Sequence, residues 1–486
     1  MELQPEVGIY WYLEDRKPNS SIILLNTMKR TVSYILLLLL SCSQAIAQRS
    51  DWKEESVANK EERMKWWRDG RFGMFIHWGL YALPARHEWV QSREKIDHET
   101  YRKNYFDLFN PDLYNPTEWA RAAKAAGMKY VVLTAKHHEG FCLWDSKTTD
   151  FNAAKTPYGK DLIKPFVDAC KAEGLKVGFY FSMIDWSNPD FTIDSNHPLR
   201  DNQEARAKNG RKDMGKFRQY LKDQVRELLT NYGTIDLLFW DFSYPGKDGK
   251  SNKDWDSEGL IKLARELQPN IIMNDRLDMY DHAWGWDYKT PEQFMPNKWP
   301  EYKGQRVPWE TCQTFSGSWG YHRDENTWKS NNQLIAMLIE VVSKGGNLLL
   351  NVGPTARGNF DARATDRLAA IGDWMKFNSK AIYGCTEAPA GFERPDNCLL
   401  TYNPETKRLY VHLLQYPYKT LYLPNFKGKV KYAQFLHDNS EIKYTSRSGA
   451  EPGGHMTITA GENDLIVDLP VVRPQVEIPV IELVLN

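Results

Sequence analysis

Asp241 is the carboxylate of this sequence that is best placed for chemistry. It ends an apolar run and stands between Trp240 and Phe242, so we expect it to be buried at the end of a strand. A helix N-cap is the other role that such an aspartate could have. Two facing carboxyl groups can cleave a glycosidic bond, one as the nucleophile and the other as the proton donor. Glu292 and Glu310 are both candidates for the second group.

Further polar and aromatic side chains follow other apolar runs, and together they predict a polar pocket with aromatic walls. His137 and His138 are adjacent, and neither H-x-H nor H-E-x-x-H spacing is present, so neutral donors to hydroxyl groups fit them better than metal ligands. Arg276 comes directly after an apolar run, which favours contact with a ligand over a surface ion pair. The sequence contains no Gly-rich phosphate loop and gives no support for nucleotide chemistry.

A parallel sheet covered by helices would place these residues together. Short apolar runs alternate with amphipathic stretches from Arg71 to about Lys380, which is typical of such a sheet. The length of this region favours a (β/α)8-like, TIM-type barrel, with room for irregularity because fewer than eight strands are clear. Predicted strands cover residues 72–78, 130–134, 176–182, 235–240, 271–274 and 348–351. Predicted helices cover residues 116–126, 162–173, 213–232, 258–267, 333–343 and 365–378.

After about Cys385 the pattern changes to short, often alternating runs separated by turn signals such as Asn403-Pro404. This pattern predicts a small antiparallel β-sandwich at the C-terminus. The predicted organisation is therefore an upstream extension and leader over residues 1–47, a barrel over 48–383 and a β-sandwich over 384–486.

Composition excludes some classes of protein and favours one class of ligand. The chain has 486 residues, with 63 Lys and Arg against 63 Asp and Glu, so its formal net charge is zero. A neutral chain has no global electrostatic attraction to nucleic acid or to an anionic membrane. The 18 tryptophans suit ligands with an apolar face and a polar rim, such as sugars, although core packing explains them equally well.

The amino-terminal region predicts export. A basic start at Met28 precedes a short apolar run, and an A-x-A site ends at Ala47, where we expect cleavage of a signal peptide covering residues 28–47. The apolar run is too short to span a bilayer. A lipid anchor on Cys42, and so a protein held at a membrane surface, is the alternative. Five cysteines remain after cleavage, an odd number without a zinc-binding spacing, so we do not expect a disulfide scaffold.

The motifs of the chain resemble those of glycoside hydrolase family 29, the α-L-fucosidases, from about Trp66 to Lys380. They occur in the order found in the family. The segments that carry the resemblance are residues 71–79 (RFGMFIHWG), 87–89 (HEW), 135–141 (AKHHEGF), 178–180 (GFY), 240–241 (WD), 274–276 (NDR), 309–310 (WE), 319–321 (WGY) and 345–354 (GGNLLLNVGP).

This resemblance implies exo-acting hydrolysis of terminal α-L-fucosyl residues with retention, through a covalent fucosyl-enzyme on Asp241. Trp319 matches an aromatic wall near the sugar, and Phe239, Trp89 and Trp319 are candidates to line an apolar corner for the fucose methyl group. Relatives often read Trp-Phe-Asp where this chain reads Phe-Trp-Asp, which leaves open whether Phe239 or Trp240 faces the sugar. The positions that hold the fucose ring in the family match His77, Glu88, Trp89, His137, His138, Tyr180 and Arg276.

The second catalytic carboxyl group is less uniform in the family. In several relatives it closes a D-Y/F-x-T-x-E-like segment, which corresponds to residues 287–292 here and favours Glu292. Glu310 is the alternative, and it could instead position the site. The motif set suggests the broad-specificity branch of the family, acting on fucosylated oligosaccharides or glycoconjugates without a cofactor or a metal ion. A catalytically weak fucose-binding barrel and a metal-dependent barrel hydrolase are the alternative functions.

Overall fold

A computed structural model describes residues 52–446, 449–450, 457–458 and 460–486. The expected signal peptide over residues 28–47 and the alternative anchor Cys42 lie outside these described residues. Residues 55–486 form one compact unit, to which the following description applies. In the described part of the chain, no helix is both long enough and apolar enough to cross a membrane.

Seven parallel strands form the main sheet, and their side chains are buried apart from Lys176. Burial on both faces is typical of a parallel sheet enclosed by helices. The strands are Phe72–Ile76 (β1), Tyr130–Lys136 (β2), Lys176–Ser182 (β3), Leu237–Asp241 (β4), Ile272–Met273 (β5), Glu310–Thr314 (β8) and Asn347–Val352 (β9), with a hairpin of Glu301–Tyr302 (β6) and Gln305–Arg306 (β7) before β8. Their order in the sheet is β5-β4-β3-β2-β1-β9-β8.

Residues 287–292, here called the seam segment, close this sheet into a barrel. The N–H of Asp287 donates to the carbonyl of the last residue of β5 at 2.8 Å, and the N–H of Glu310 in β8 donates to the carbonyl of Lys289 at 2.9 Å. Pro291 has no N–H and interrupts the ladder, so the segment is not a regular strand. It occupies the sixth of eight strand positions in chain order, and the expected TIM-type barrel is confirmed.

Asp287 anchors the seam segment at the amino end of the barrel. Arg63 and Arg265 each make two hydrogen bonds to its carboxylate, at 2.7 to 3.0 Å, and the N–H of Met273 adds a fifth at 2.8 Å. Burial opposes ionisation of Asp287, but the charges of Arg265 and Arg63 outweigh it and hold the pKa of this carboxyl below its usual value. Ionic contacts therefore fix a segment that lacks a complete ladder.

Helices cover the outside of the barrel, and all six predicted barrel helices are present. Gly127 and Gly174 follow two of them with φ values of 86° and 76°, a conformation that residues with a Cβ avoid. The helices are Val57–Gly70 (α1), Val90–Arg93 (α2), His98–Tyr105 (α3), Pro116–Ala125 (α4), Ile163–Ala172 (α5), Gln203–Ala207 (α6), Met214–Thr230 (α7), Asn252–Trp255 (α8), Ser257–Leu267 (α9), Asn331–Ser343 (α10) and Ala362–Asn378 (α11).

The described residues after α11 form antiparallel sheets, as expected. The strands are Cys398–Asn403 (β10), Arg408–Leu413 (β11), Thr420–Leu423 (β12), Val430–Phe435 (β13), Tyr444–Thr445 (β14), Gly449–Ala450 (β15), Thr457–Ile458 (β16), Leu465–Asp468 (β17) and Val480–Leu485 (β18). Sheets of order β10-β11-β18-β13 and β12-β17-β14 share one apolar core, which makes a sandwich. The cysteines of the described residues are all buried and free, so Cys385 and Cys398 do not pair.

Candidate active site

A pocket of about 350 Å³ opens to solvent at the carboxyl ends of the barrel strands. This is the face on which TIM barrels hold their chemistry. Glu88 and Glu310 do not line the pocket, whereas the other residues predicted for the site do. Those lining residues are His77, Trp89, His137, His138, Tyr180, Phe239, Asp241, Arg276, Glu292 and Trp319.

Asp241 is the last residue of β4, and its side chain is 11% exposed. Tyr180 on the neighbouring strand β3 donates its phenolic O–H to Oδ2 of Asp241 at 2.8 Å. Nη1 of Arg276 donates to Oδ1 at 2.9 Å. Each carboxylate oxygen thus has one donor, which fixes the orientation of the group toward the pocket. The carboxylate is engaged within the site rather than serving as a helix cap.

Glu292 lies opposite Asp241 across the same arginine. Nη1 of Arg276 donates to Oε2 of Glu292 at 2.6 Å as well as to Oδ1 of Asp241 at 2.9 Å. The two carboxylate oxygens are therefore at most 5.5 Å apart, the sum of these two distances. Retaining glycosidases separate their carboxyl groups by about 5 to 5.5 Å, whereas inverting enzymes need more than about 6.5 Å. The separation suits direct attack by one carboxylate.

Thr290 and Asp275 hold Arg276 in this position. The hydroxyl of Thr290 donates to Oδ1 of Asp275 at 2.7 Å and accepts from Nε of Arg276 at 3.1 Å. The N–H of Thr290 also donates to Oδ1 of Asp275, at 3.1 Å. The loop after β5 and the seam segment are thereby joined through one hydroxyl group, and the position of Arg276 depends on both.

Two histidines present hydrogen-bond acceptors to the pocket. Nδ1 of His77 donates to Oδ1 of Asn351 at 2.7 Å, so its Nε2 keeps a lone pair. The hydroxyl of Ser182 gives its proton to a backbone carbonyl and therefore accepts from Nδ1 of His138 at 2.7 Å. Burial, followed by the charge of His137, lowers the pKa of both imidazoles well below the usual value, so both are neutral. Their Nε2 atoms accept rather than donate, contrary to the donor role expected for His138.

Phe239, and not Trp240, is the aromatic residue of β4 that faces the pocket. Alternate strand residues share a face, so Phe239 lies on the side of Asp241 while Trp240 is fully buried on the other side. The Phe239 ring stacks on the Tyr180 ring with centroids 5.9 Å apart. The guanidinium of Arg276 lies 5.1 Å from the centroid of the Phe239 ring. The question left open by the Phe-Trp-Asp order is answered by the strand register.

Glu88 positions an aromatic wall instead of lining the pocket. Its Oε2 accepts from the N–H groups of Trp319 and Gly320 at 3.2 and 3.0 Å. Nδ2 of Asn351 donates to the carbonyl of Trp319 at 2.6 Å, which fixes the same peptide from the other side. The indole of Trp319 then stands beside His77, with ring centroids 5.0 Å apart. Glu88 therefore acts on the pocket through Trp319.

Glu310 does not fit the alternative role of acid/base residue. It is the first residue of β8, so it lies at the amino ends of the strands, opposite the pocket. Nε1 of Trp67 donates to its carboxylate at 3.0 Å, and Tyr130 also donates to it. Burial raises the pKa of Glu310 to about 7, although these two hydrogen bonds oppose the rise. A raised pKa is useful in catalysis only where a substrate can reach the group.

Three lining residues escaped the sequence analysis, namely Phe75, Phe242 and Cys312. Phe75 could have been found because it is two residues before His77 and shares its face of β1. Phe242 directly follows Asp241, whereas Cys312 lies on a strand that was not predicted. Among the residues that the structure describes, no group of three or more His, Cys, Asp or Glu side chains is arranged to hold a metal ion.

The sequence matches known glycoside hydrolases over most of its length. The α-L-fucosidase family profile matches residues 37–380. Tissue α-L-fucosidase of Rattus norvegicus is 28% identical over 414 residues, which cover 79% of this chain and 83% of that protein. Plasma α-L-fucosidase of Pongo abelii is 30% identical over 404 residues, covering 77% and 81%.

Solved structures of bacterial enzymes resemble the fold. α-L-Fucosidase isoenzyme 1 from Paenibacillus thiaminolyticus is 42% identical, with a TM-score of 0.81 over 88% of this chain and 99% of that one. A family 29 α-L-fucosidase from Bacteroides thetaiotaomicron, solved as a covalent intermediate trapped with 2-fluoro-fucosyl fluoride, is 31% identical. Its TM-score is 0.74, over 87% of this chain and 96% of that one.

Proposed function

The chain belongs to the α-L-fucosidase family, glycoside hydrolase family 29, and on this premise we propose that Asp241 is its nucleophile and Glu292 its acid/base residue. The observation that carries the proposal is the shared contact with Arg276, which limits the two carboxylate oxygens to 5.5 Å. This separation is in the range of retaining enzymes, in which no water stands between the nucleophile and the anomeric carbon, and so it supports retention through a covalent intermediate.

In the first step, a carboxylate oxygen of Asp241 attacks the anomeric carbon of fucose while the bond to the glycosidic oxygen breaks. Glu292 gives its proton to the departing oxygen, so the leaving glycan departs as a neutral alcohol. The product is a fucosyl ester on Asp241. Neutral His77 and His138 accept hydrogen bonds from sugar hydroxyl groups, and Phe239 with Trp319 offers an apolar surface for the fucose methyl group.

In the second step, Glu292 takes a proton from water as the water oxygen attacks the anomeric carbon. The ester bond breaks, Asp241 leaves as a carboxylate, and Glu292 is protonated again. Two inversions at the anomeric carbon give net retention. A competing acceptor sugar could replace water in this step, because both act on the same intermediate.

Trapping the intermediate tests the nucleophile. Incubation with 2-fluoro-fucosyl fluoride should add one 2-fluoro-fucosyl group to the protein, and peptide mass spectrometry should place it on Asp241. The Asp241→Ala variant should take up no label and lose at least about a thousandfold in turnover of an aryl fucoside. A label on any other carboxylate, or near-normal turnover by Asp241→Ala, would refute the assignment.

Rescue of activity by azide distinguishes Glu292 from Glu310 as the acid/base residue. Glu292→Ala should hydrolyse aryl fucosides slowly and recover with azide, giving α-fucosyl azide, because a small anion needs no general base. Glu310→Ala, the matched control, should show no azide-dependent product. The opposite pattern would make Glu310 the acid/base residue and exclude Glu292.

We propose further that the protein is exported, with fucosylated oligosaccharides or glycoconjugates as its substrates. The support is the basic start at Met28, the short apolar run and the A-x-A site ending at Ala47. Mass spectrometry of protein secreted by an expression host should find Gln48 at the amino terminus. A lipid-modified Cys42 at that terminus would instead establish the anchored alternative. Turnover of a panel of α-1,2, α-1,3, α-1,4 and α-1,6 fucosides tests the broad specificity.

A further inference from the structure

The stretch between the seam segment and β8 is built differently from its neighbours in the barrel. In the described chain no α-helix lies between β5 and β8, and residues 293–309 form a loop with the short β6–β7 hairpin. A groove of about 1140 Å³, open to solvent, runs along the seam segment and the first part of this loop. Its apolar lining comes from Pro291, Phe294, Pro296, Trp299 and Pro300.

This groove begins at the candidate acid/base residue. Glu292 lines both the groove and the active-site pocket. The side chains of Thr290 and Glu292 contact Arg276, and both residues also line the groove together with Lys289 and Pro291. The glycosidic oxygen must lie beside Glu292 during cleavage, so whatever is attached to that oxygen reaches the start of the groove.

Phe294 is held in place although its ring is exposed. The side chain is 59% exposed, a large apolar surface to leave in water. Its carbonyl accepts from Oγ1 of Thr311 at 3.1 Å and from Nε2 of Gln313 at 3.4 Å, both on β8. Nζ of Lys344 donates to the carbonyl of Pro296 at 3.0 Å and holds the next part of the loop. The ring is therefore presented by a backbone anchored at two points.

We propose that this groove binds the glycan that leaves on hydrolysis, and that the ring of Phe294 is the platform for the apolar face of a sugar close to the cleaved bond. The inference rests on the proposed function of Asp241 and Glu292 and adds the part of the substrate beyond fucose. Aromatic rings bind sugars because C–H groups on one face of the sugar pack against the ring. Because Glu292 lines both the pocket and the groove, a glycan covalently attached to the fucose is favoured over a separate partner.

Two substrates with the same fucosyl group test this inference. One is the best fucosylated oligosaccharide from the linkage panel, and the other is α-L-fucosyl fluoride, whose single leaving atom cannot reach Phe294. Phe294→Ala should lower kcat/KM for the oligosaccharide about five- to tenfold and leave that for the fluoride unchanged. Phe294→Tyr should retain both activities, because it keeps the ring.

Phe377→Ala is the matched control, since Phe377 lies on α11 and is 49% exposed. It should change neither activity. An equal loss on both substrates, or no loss on either, in the Phe294→Ala variant would overturn the inference. Failure of the proposed function is distinguishable, because the wild-type protein would then not hydrolyse the fluoride either.

Discussion

Asp241 and Glu292 accept hydrogen bonds from one and the same atom, Nη1 of Arg276, at 2.9 and 2.6 Å. The guanidinium is thus placed between the nucleophile and the acid/base residue of the proposed mechanism. When Asp241 becomes an ester it loses its charge, and Nη1 of Arg276 keeps its contact with Glu292 while Glu292 acts as the general base. One side chain therefore coordinates both half-reactions.

We expect Arg276→Lys to lower kcat about a hundredfold or more while the fold is retained. A lysine ammonium can replace the charge, but it cannot contact Thr290 and both carboxylates at once, because it lacks the planar fork. Steady-state kinetics on an aryl fucoside measure the effect. Arg323→Lys, a substitution at an exposed arginine, is the control and should be silent. Activity of Arg276→Lys within threefold of wild type would contradict the role of the shared contact.

Tyr180→Phe should lower kcat on an aryl fucoside about tenfold. The phenol donates to Asp241 at 2.8 Å, and a hydrogen bond to a charged group contributes about 1.5 kcal/mol or more, which corresponds to about a tenfold change in rate. Steady-state kinetics on an aryl fucoside measure the effect. Tyr418→Phe, at a residue that is 74% exposed, provides the comparison and should be silent. An unchanged kcat would show that this contact does not position the nucleophile.

Thr290→Val should reduce kcat about tenfold, since the methyl group cannot link Asp275 to Arg276. Thr290→Ser keeps the hydroxyl and should restore most of the activity. The pair separates hydrogen bonding from packing, because valine matches the volume of threonine and serine does not. Equal defects in both variants would make the contribution one of packing only.

Glu310→Gln should alter the pH dependence of stability and not catalysis. The pKa of Glu310 is about 7 in the folded protein and 4.5 as its ordinary value, so the folded state binds the extra proton. The stabilisation that this proton contributes is fully present below about pH 4.5 and is lost as the pH rises to about 7. The loss corresponds to about 3 kcal/mol. Urea unfolding measures the free energy of unfolding at pH 5 and at pH 8. The difference between these two values should be smaller for Glu310→Gln than for wild type.

The decisive quantity is the change in the free energy of unfolding between pH 5 and pH 8, because the introduced amide is uncharged at both pH values. The same dependence in Glu310→Gln and wild type would mean that another group is responsible. Turnover of an aryl fucoside by Glu310→Gln should stay near normal, in contrast with any substitution of Glu292.

The strands and helices of the fold could be predicted from sequence where they follow a clear hydrophobic pattern. Strands β1 to β5 and β9 follow apolar runs, and six helices follow amphipathic stretches, so these elements were predicted. Helices α1, α2, α3, α6 and α8 were not predicted. Strand β8 was missed because its sequence is Glu-Thr-Cys-Gln-Thr, and its burial depends on hydrogen bonds that only the folded chain forms. The seam segment was missed because Pro291 breaks its ladder and its partners are distant in sequence.

Residues of the active site could be predicted from sequence where they lie at or just beyond the ends of predicted strands. His77 and Asp241 lie at the ends of predicted strands and His138 lies shortly after one, and each lines the pocket. The choice between Glu292 and Glu310 could not be made in this way, because it requires knowing that Glu310 begins a strand instead of ending one. The choice between Phe239 and Trp240 likewise required the register of β4.

Because Glu292 lies on the seam segment, the recovery of catalytic activity during refolding shows when this segment has folded. Glu292 is carried by the barrel segment that lacks a complete ladder, and the anchor of this segment, Asp287, is 224 residues away from its partner Arg63. Contacts between such distant residues form late, because a long chain must first be closed into a loop. A refolding molecule with every other strand in place would hold Asp241 without its catalytic partner. We expect tryptophan fluorescence and helical circular dichroism to recover before hydrolysis does.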